Sequence, residues 1–197
     1  MNQDIKEESK AWEVVNIARN SNRPSSSYYI KNICDKFVSL NGDRTCYDDQ
    51  SVIAGISKIN GMAVTIIGIS KGENLKENLK RNFGMARPEG YKKALRVMKL
   101  AERNRMPIVC LIDTPGAYCG IEAAEKMRLT AADLKELGVI DKIIDEPYGG
   151  AHNNREEAAN NLRNSIVKEL NELINYDINK LIEERYSKFR MMGNMWD

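Results

Sequence analysis

The chain has a single histidine, and its four cysteines, Cys34, Cys46, Cys110 and Cys119, form no C-x-x-C pair. Zinc-type sites need several such ligands at close spacing, so no metal is expected in this chain. Long apolar runs are also missing. No stretch approaches the roughly 20 residues that a bilayer span requires, and the opening 'MNQDIKEESKAWEVV' lacks an apolar run behind a positive region. The expectation is a cytoplasmic protein with reduced thiols and no membrane association. Excess charge is scarce as well: a net charge of +2 over 197 residues does not mark a nucleic-acid binder, and none is expected as a partner. Neither internal repeats nor low-complexity tracts occur.

An apolar fraction of 42% is enough for a packed core, and the length suits one domain with helical extensions. Charge becomes uneven only locally. Between Lys71 and Arg105 eleven Lys and Arg stand against four Glu. Charge on helices is usually plain solvation, which is the preferred reading of this patch. If any part of it binds, Lys71, Arg81 and Arg87, with Lys80, are the candidates to meet a cofactor phosphate or an acidic partner.

The periodicity predicts helix in the opening segment, then a second helix over Tyr28 to Leu40 with Ile30, Ile33, Phe37 and Leu40 on one face. 'SVIAGISKI' and 'MAVTIIGIS' are β-branched runs joined by Asn60–Gly61, a strong hairpin signal. 'YKKALRVMKLAERNR' reads as an amphipathic helix, with Tyr91, Ala94, Leu95, Met98 and Ala101 inward and Lys and Arg opposite. 'IVCLID' then reads as a parallel strand buried on both faces. 'TAADLKELG' predicts a short helix between Thr130 and Gly138, leading into a strand 'VIDKII'. Two further helices close the chain. An α/β class with a helical region at 1–40, a core at 41–147 and a helical region at 148–197 follows.

'DTPG' at Asp113 to Gly116 invites a GTPase reading, but no G-x-x-x-x-G-K-[ST] cradle lies upstream. A Pro-Gly turn leaving a strand has another use: it presents successive backbone N–H groups to a reacting oxygen. Gly116, Ala117, Tyr118 and Gly120 are the candidate catalytic donors. His152, after Gly149 and Gly150, has no evident proton-transfer partner in the sequence and reads as a turn residue. Asp43 and Arg44 read as an ion pair fixing the turn before the first strand of the hairpin.

Three blocks, 'FVSLNGDRTCYDDQSVIAGISKINGMAVTIIGISKG', 'RNFGMARPEGYKKALRVMKLAERNRMPIVCLIDTPGAYCG' and 'TAADLKELGVIDKIIDEPYGGAH', resemble the α subunit of bacterial acetyl-CoA carboxylase carboxyltransferase. The likeness extends to 'AWEVVNIARNSNRPSSSYYI' and 'ERYSKFRMMG'. It implies a ClpP/crotonase-like core and a transferase of fatty acid biosynthesis. Carboxybiotin on a biotin carboxyl carrier protein would donate its carboxyl group to acetyl-CoA, giving malonyl-CoA. It also implies a β subunit as partner in an α2β2 assembly.

The sequence departs from the family at Asn41, usually histidine, and at Cys119, usually proline. A third departure is larger. A long stretch that the family carries after 'GAYCGIEA', including a second glycine turn, is absent between about Ile121 and Glu125. The core is then expected to be incomplete, with impaired catalysis and with strands lacking their covering neighbours. Alternative readings are a non-catalytic interaction or assembly protein derived from that subunit, and a sequence shortened relative to its natural form.

Overall fold

The computed structural model describes residues 13–45, 47–113 and 130–192. These fall into two compact units. The larger comprises Asn20–Ala117 with Glu146–Val167, and the smaller comprises Met1–Arg19, Tyr118–Asp145 and Lys168–Asp197.

A mixed α/β arrangement is observed. Helix α1 (13–19) precedes α2 (Ser26–Ile33), and strands β1 (Lys36–Ser39), β2 (Val52–Ile59) and β3 (Met62–Ile69) follow. Then come α3 (Leu75–Lys80), a 3-10 turn at Asn82–Gly84, α4 (Pro88–Arg103) and β4 (Ile108–Ile112). The remaining helices are α5 (Ala131–Glu136), α6 (Arg155–Leu173) and α7 (Ile178–Met191). The sheet order is β1-β2-β3-β4, antiparallel except for the parallel pair β3/β4.

The hairpin forms where the sequence placed it. Asn60 and Gly61 both take positive φ, 50° and 78°, as a two-residue turn matching strand twist requires. Register pairs Ala54 with Ile67 and Gly55 with Ile66, so alternate residues face opposite sides. One side packs on α4, where Val52, Ala54, Ile67 and Val97 form a buried cluster. On the other, Gly68 leaves room for Ile30 of α2, whose methyl group would lie 3.2 Å from an added Cβ. Burial on both faces explains the unbroken buried run from Val64 to Gly68.

Four expectations are corrected. The second helix stops at Ile33 and does not reach Leu40: Asp35 N–H donates to Lys58 O, and Phe37 pairs with Ser57 in β1. The available ladder partner in β2 outweighs a short apolar periodicity. In α4, Ala101 is buried and Ala94 and Met98 pack against the core cluster as expected, but Tyr91 and Leu95 are exposed, and Gly90, Lys93 and Val97 are buried instead. Strand β4 is parallel to β3 as expected, but it ends the sheet of the described residues and is not covered on both faces. Ile112 is 74% exposed and Cys110 is exposed. Finally, 'VIDKII' forms no strand. The amides of Val139 and Ile140 turn back to Leu134 O, closing the end of α5, and no ladder partner is present among the described residues.

The short α3 escaped the sequence reading, although its capping signal was present: Asn74 Oδ1 accepts from Glu77 N–H at 3.0 Å, and Glu77 Oε2 accepts from Glu73 N–H at 3.1 Å.

Candidate functional site at the strand ends

The C-terminal ends of the parallel pair β3/β4 lie side by side, with Asp113 N–H donating to Ile69 O at 3.1 Å. Crevices at such ends are the usual ligand positions of α/β sheets. Three segments converge there within the larger unit. The N-terminus of α2 sits over β3: Ser25 caps the helix, Ser26 Oγ donates to Ile69 O at 2.8 Å, and Ser27 N–H donates to Ser70 Oγ at 3.3 Å. From the other side come Asn82, Phe83 and Gly84, all with positive φ. Gly84 approaches closely enough that a Cβ would lie 3.2 Å from Asp113 O and 3.3 Å from Lys71 N. Two non-glycine residues held left-handed cost on the order of 1–2 kcal/mol each, and such strain clusters at functional sites.

Lys71 Nζ lies 3.5 Å from Asp113 Oδ1, while Asp113 Oδ2 is buried without a hydrogen-bond partner among the described residues. Next to them, Arg23 makes a two-pronged pair with Glu146, one prong at 2.9 Å, and Glu146 Oε2 also accepts from Ala151 N–H at 2.8 Å. The Arg23 guanidinium and this amide hold the Glu146 carboxyl below its usual range, and Glu146 in turn raises Arg23. Burial raises the Tyr29 phenol against the opposing pull of Arg23. The Arg155 guanidinium stacks 4.1 Å over Tyr28 and reaches Glu73 at 3.1 Å.

His152 belongs to the same cluster. Its Nδ1 is buried and unpartnered among the described residues, and its ring packs against Gly150, near Glu146 Oε2. The turn that holds it, Gly149–Gly150 with φ of 78° and 100°, fits the sequence reading. The carboxylate beside it does not: Glu146 Oε2 lies next to the ring around Gly150, a neighbour that sequence spacing alone did not disclose.

The expected site residues separate. Gly116, Ala117, Tyr118 and Gly120 lie outside the described residues, but Asp113, the last described residue before them, is part of the cluster. Lys71 is there too. Arg81 and Arg87 are elsewhere: Arg81 Nη1 donates to Gln50 O at 2.9 Å, and Arg87 precedes α4, its N–H on Asp49 Oδ2 at 2.7 Å. Lys80 and Arg87 share a cleft with Tyr47 and Gln50. Asp43 fixes its turn through the amides of Thr45 and Tyr47, and with Arg44 it lines a separate groove along α4. The sequence reading missed Arg23 and Glu146; 'RPSSS' before a helix and 'EPYGG' after one were the available signals.

A profile of the family described as acetyl co-enzyme A carboxylase carboxyltransferase-like matches residues 1–126 and 121–193. The chain belongs to this carboxyltransferase family. Its curated relatives include the acetyl-coenzyme A carboxylase carboxyl transferase subunit alpha of Clostridium perfringens (strain ATCC 13124), 36% identical over 269 residues, covering 98% of this chain and 99% of that protein. The subunit of the same name from Clostridium beijerinckii is 37% identical over 260 residues, covering 94% and 96%. That of Geobacter metallireducens is 35% identical over 257, covering 92% and 81%. An alignment of 269 positions exceeds the 197 residues of this family member, so the relatives carry residues to which it has no counterpart. The two matched segments of the profile meet at 121–126, the place where the sequence reading put the break.

Proposed function

We propose that the chain acts as the α subunit of an acetyl-CoA carboxylase carboxyltransferase. It would move the carboxyl group of carboxybiotin, carried on a biotin carboxyl carrier protein, to acetyl-CoA, forming malonyl-CoA for fatty acid synthesis. Its partner is a β subunit in an α2β2 assembly, its core is crotonase-like within 41–147 between helical regions 1–40 and 148–197, and its place is the cytoplasm. The observation that carries this reading is family membership on both sides of the break at 121–126.

The chemistry asks for two stabilised anions. The ureido oxygen of biotin gains negative charge as the carboxyl group leaves, and the methyl carbon of acetyl-CoA must lose a proton before it forms the new carbon–carbon bond. Fixed N–H donors serve such charges, each worth about 2.7–4 kcal/mol in rate. Backbone N–H groups of Gly116, Ala117, Tyr118 and Gly120 are assigned to the biotin side. Lys71, paired with Asp113 at 3.5 Å, adds positive charge at the end of β4, just before that segment in the sequence. Arg81 and Arg87 are left for phosphate or partner contacts at their separate positions. With the family's second glycine turn lacking a counterpart, turnover is expected well below that of a full-length pair.

The test is malonyl-CoA formation from carboxybiotin and acetyl-CoA by the chain co-purified with a carboxyltransferase β subunit. Product that falls at least tenfold in Gly116→Val supports the reading. A stable complex without product makes the chain an assembly protein, and absence of any complex overturns both.

A further inference from the structure

The positive excess between Lys71 and Arg105 is not spread evenly over the surface. Lys71 is paired with Asp113, Lys93 is buried against Asp48, and Arg81 is bonded to Gln50 O. Of the eight cations that remain, Lys92, Arg96, Lys99 and Arg103 collect along one side of α4. Lys92, Lys99 and Arg103, joined by Arg44 from the loop after β1, make no hydrogen bond or ion pair among the described residues, and all four line one groove of ≈ 380 Å³.

This groove differs from a solvated helix face in three ways. Arg96 is pinned: its Nη2 donates to the carbonyls of Asn41 at 3.0 Å and Gly42 at 2.9 Å, while its Nε is buried with no partner among the described residues. Arg44 is held at a φ of 67°, a left-handed conformation that a long side chain rarely adopts, and this brings it to the groove. Leu95, 53% exposed, and Leu100 give it an apolar floor. Asp43 is the single carboxylate in the lining, and it already accepts from the Thr45 and Tyr47 amides. Five like charges around one concavity repel one another and focus a field that an anion would relieve.

We propose that the groove between α4 and the β1–β2 loop binds a small molecule bearing two or more neighbouring phosphate groups. Lys92 to Arg103 spans about 16 Å at the helical rise, more than one phosphate covers. Concavity on the scale of small-ligand pockets favours such a molecule over a flat acidic protein surface. The site stands apart from the strand-end cluster, because Arg103 ends α4 just before β4 begins, whereas Asp113 follows the other end of β4. It does not rest on the carboxyltransferase reading.

Titration calorimetry of the full chain with inorganic pyrophosphate, at about 0.15 M salt to screen diffuse attraction, tests this. One saturable site is expected, weakened at least tenfold in the double variant Lys99→Glu/Arg103→Glu. It should change less than twofold in Lys31→Glu/Lys36→Glu, which alters net charge equally on exposed positions elsewhere. Arg44→Ser, a loop change that spares α4, should weaken binding severalfold and serves if the helix variant unfolds. Tighter binding of ADP than of pyrophosphate assigns a base to the apolar floor; equal binding assigns a free polyphosphate. The proposal is overturned if no saturable binding occurs, if both double variants weaken it alike, or if polyglutamate binds where pyrophosphate does not.

Discussion

Replacing Lys93 by methionine would remove an ammonium group that is 2% exposed inside the α4 face, while keeping the length of the side chain. Its Nζ donates to Asp48 Oδ1 at 2.6 Å and to Asp49 O at 2.7 Å, fastening the loop before β2 to α4. Hydrogen bonds to charged groups contribute about 1.5–3 kcal/mol each. Breaking a fully buried pair costs about 3–5 kcal/mol. Asp48 is 35% exposed, so water recovers part of its solvation and the lower end applies. The methionine also regains some apolar burial. We expect a net destabilisation of about 2–3 kcal/mol, which for a chain of this size lowers Tm by roughly 4–12 °C. Thermal unfolding followed by circular dichroism reads this directly. The companion variant Asp48→Asn/Lys93→Met removes the abandoned carboxylate and should recover part of the loss. A Tm for Lys93→Met within about 1 °C of the unaltered chain would refute the buried-pair account, as would a double variant less stable than the single one.

Gly90→Ala should destabilise although alanine is the better helix former by about 1 kcal/mol. The new Cβ would meet Asp49 Oδ2 at 2.5 Å and Val52 Cγ2 at 2.7 Å, so the expected loss is about 1–3 kcal/mol in urea unfolding, and a gain in stability would contradict the packing of α4 on β2. The Arg23–Glu146 pair predicts a pH dependence of definite sign. The folded-state pKa of Glu146 is depressed, so its contribution is present above the unfolded value and is lost as pH falls below about 4.3. Glu146→Gln should therefore be less stable than the unaltered chain at neutral pH, modestly so because the carboxylate is 43% exposed, and the gap should narrow as pH falls from about 4.3 toward about 3. A gap between their melting curves that persists unchanged to that pH would count against the pair.

Local chemistry was legible in the sequence where one short segment settles its own conformation. Asn60–Gly61 adopts a turn that few other residue pairs tolerate, Thr130 caps α5 by accepting from Asp133 N–H, and the β-branched runs on either side of Asn60–Gly61 mark the two strands of the hairpin. The parallel strand ending just before Asp113 was also legible, since 'IVCLI' does pair in parallel with β3. Elements whose fate depends on a partner were read less well. Phe37 and Val38 satisfy a helical stripe and a strand equally, and pairing with Ser57 and Ile56 decided for the strand. 'VIDKII' has every mark of a strand but lacks a ladder among the described residues.

What the sequence determined by itself was α5 with its Thr130 cap, the presence of α4 and of the two C-terminal helices, the hairpin, and membership in a carboxyltransferase family interrupted at 121–126. Tertiary structure alone decided that Lys93 is inward on α4, because a lysine reads as solvent-facing until a carboxylate and a carbonyl are brought to it. It alone assembled Arg23, Lys71, Asp113, Glu146 and His152 at one end of the parallel pair. These residues are distant along the chain, and sequence periodicity carries information only over a few turns or strand residues. The physical reason is the same in both cases: the free energy of a buried charge depends on neighbours that only the folded chain supplies.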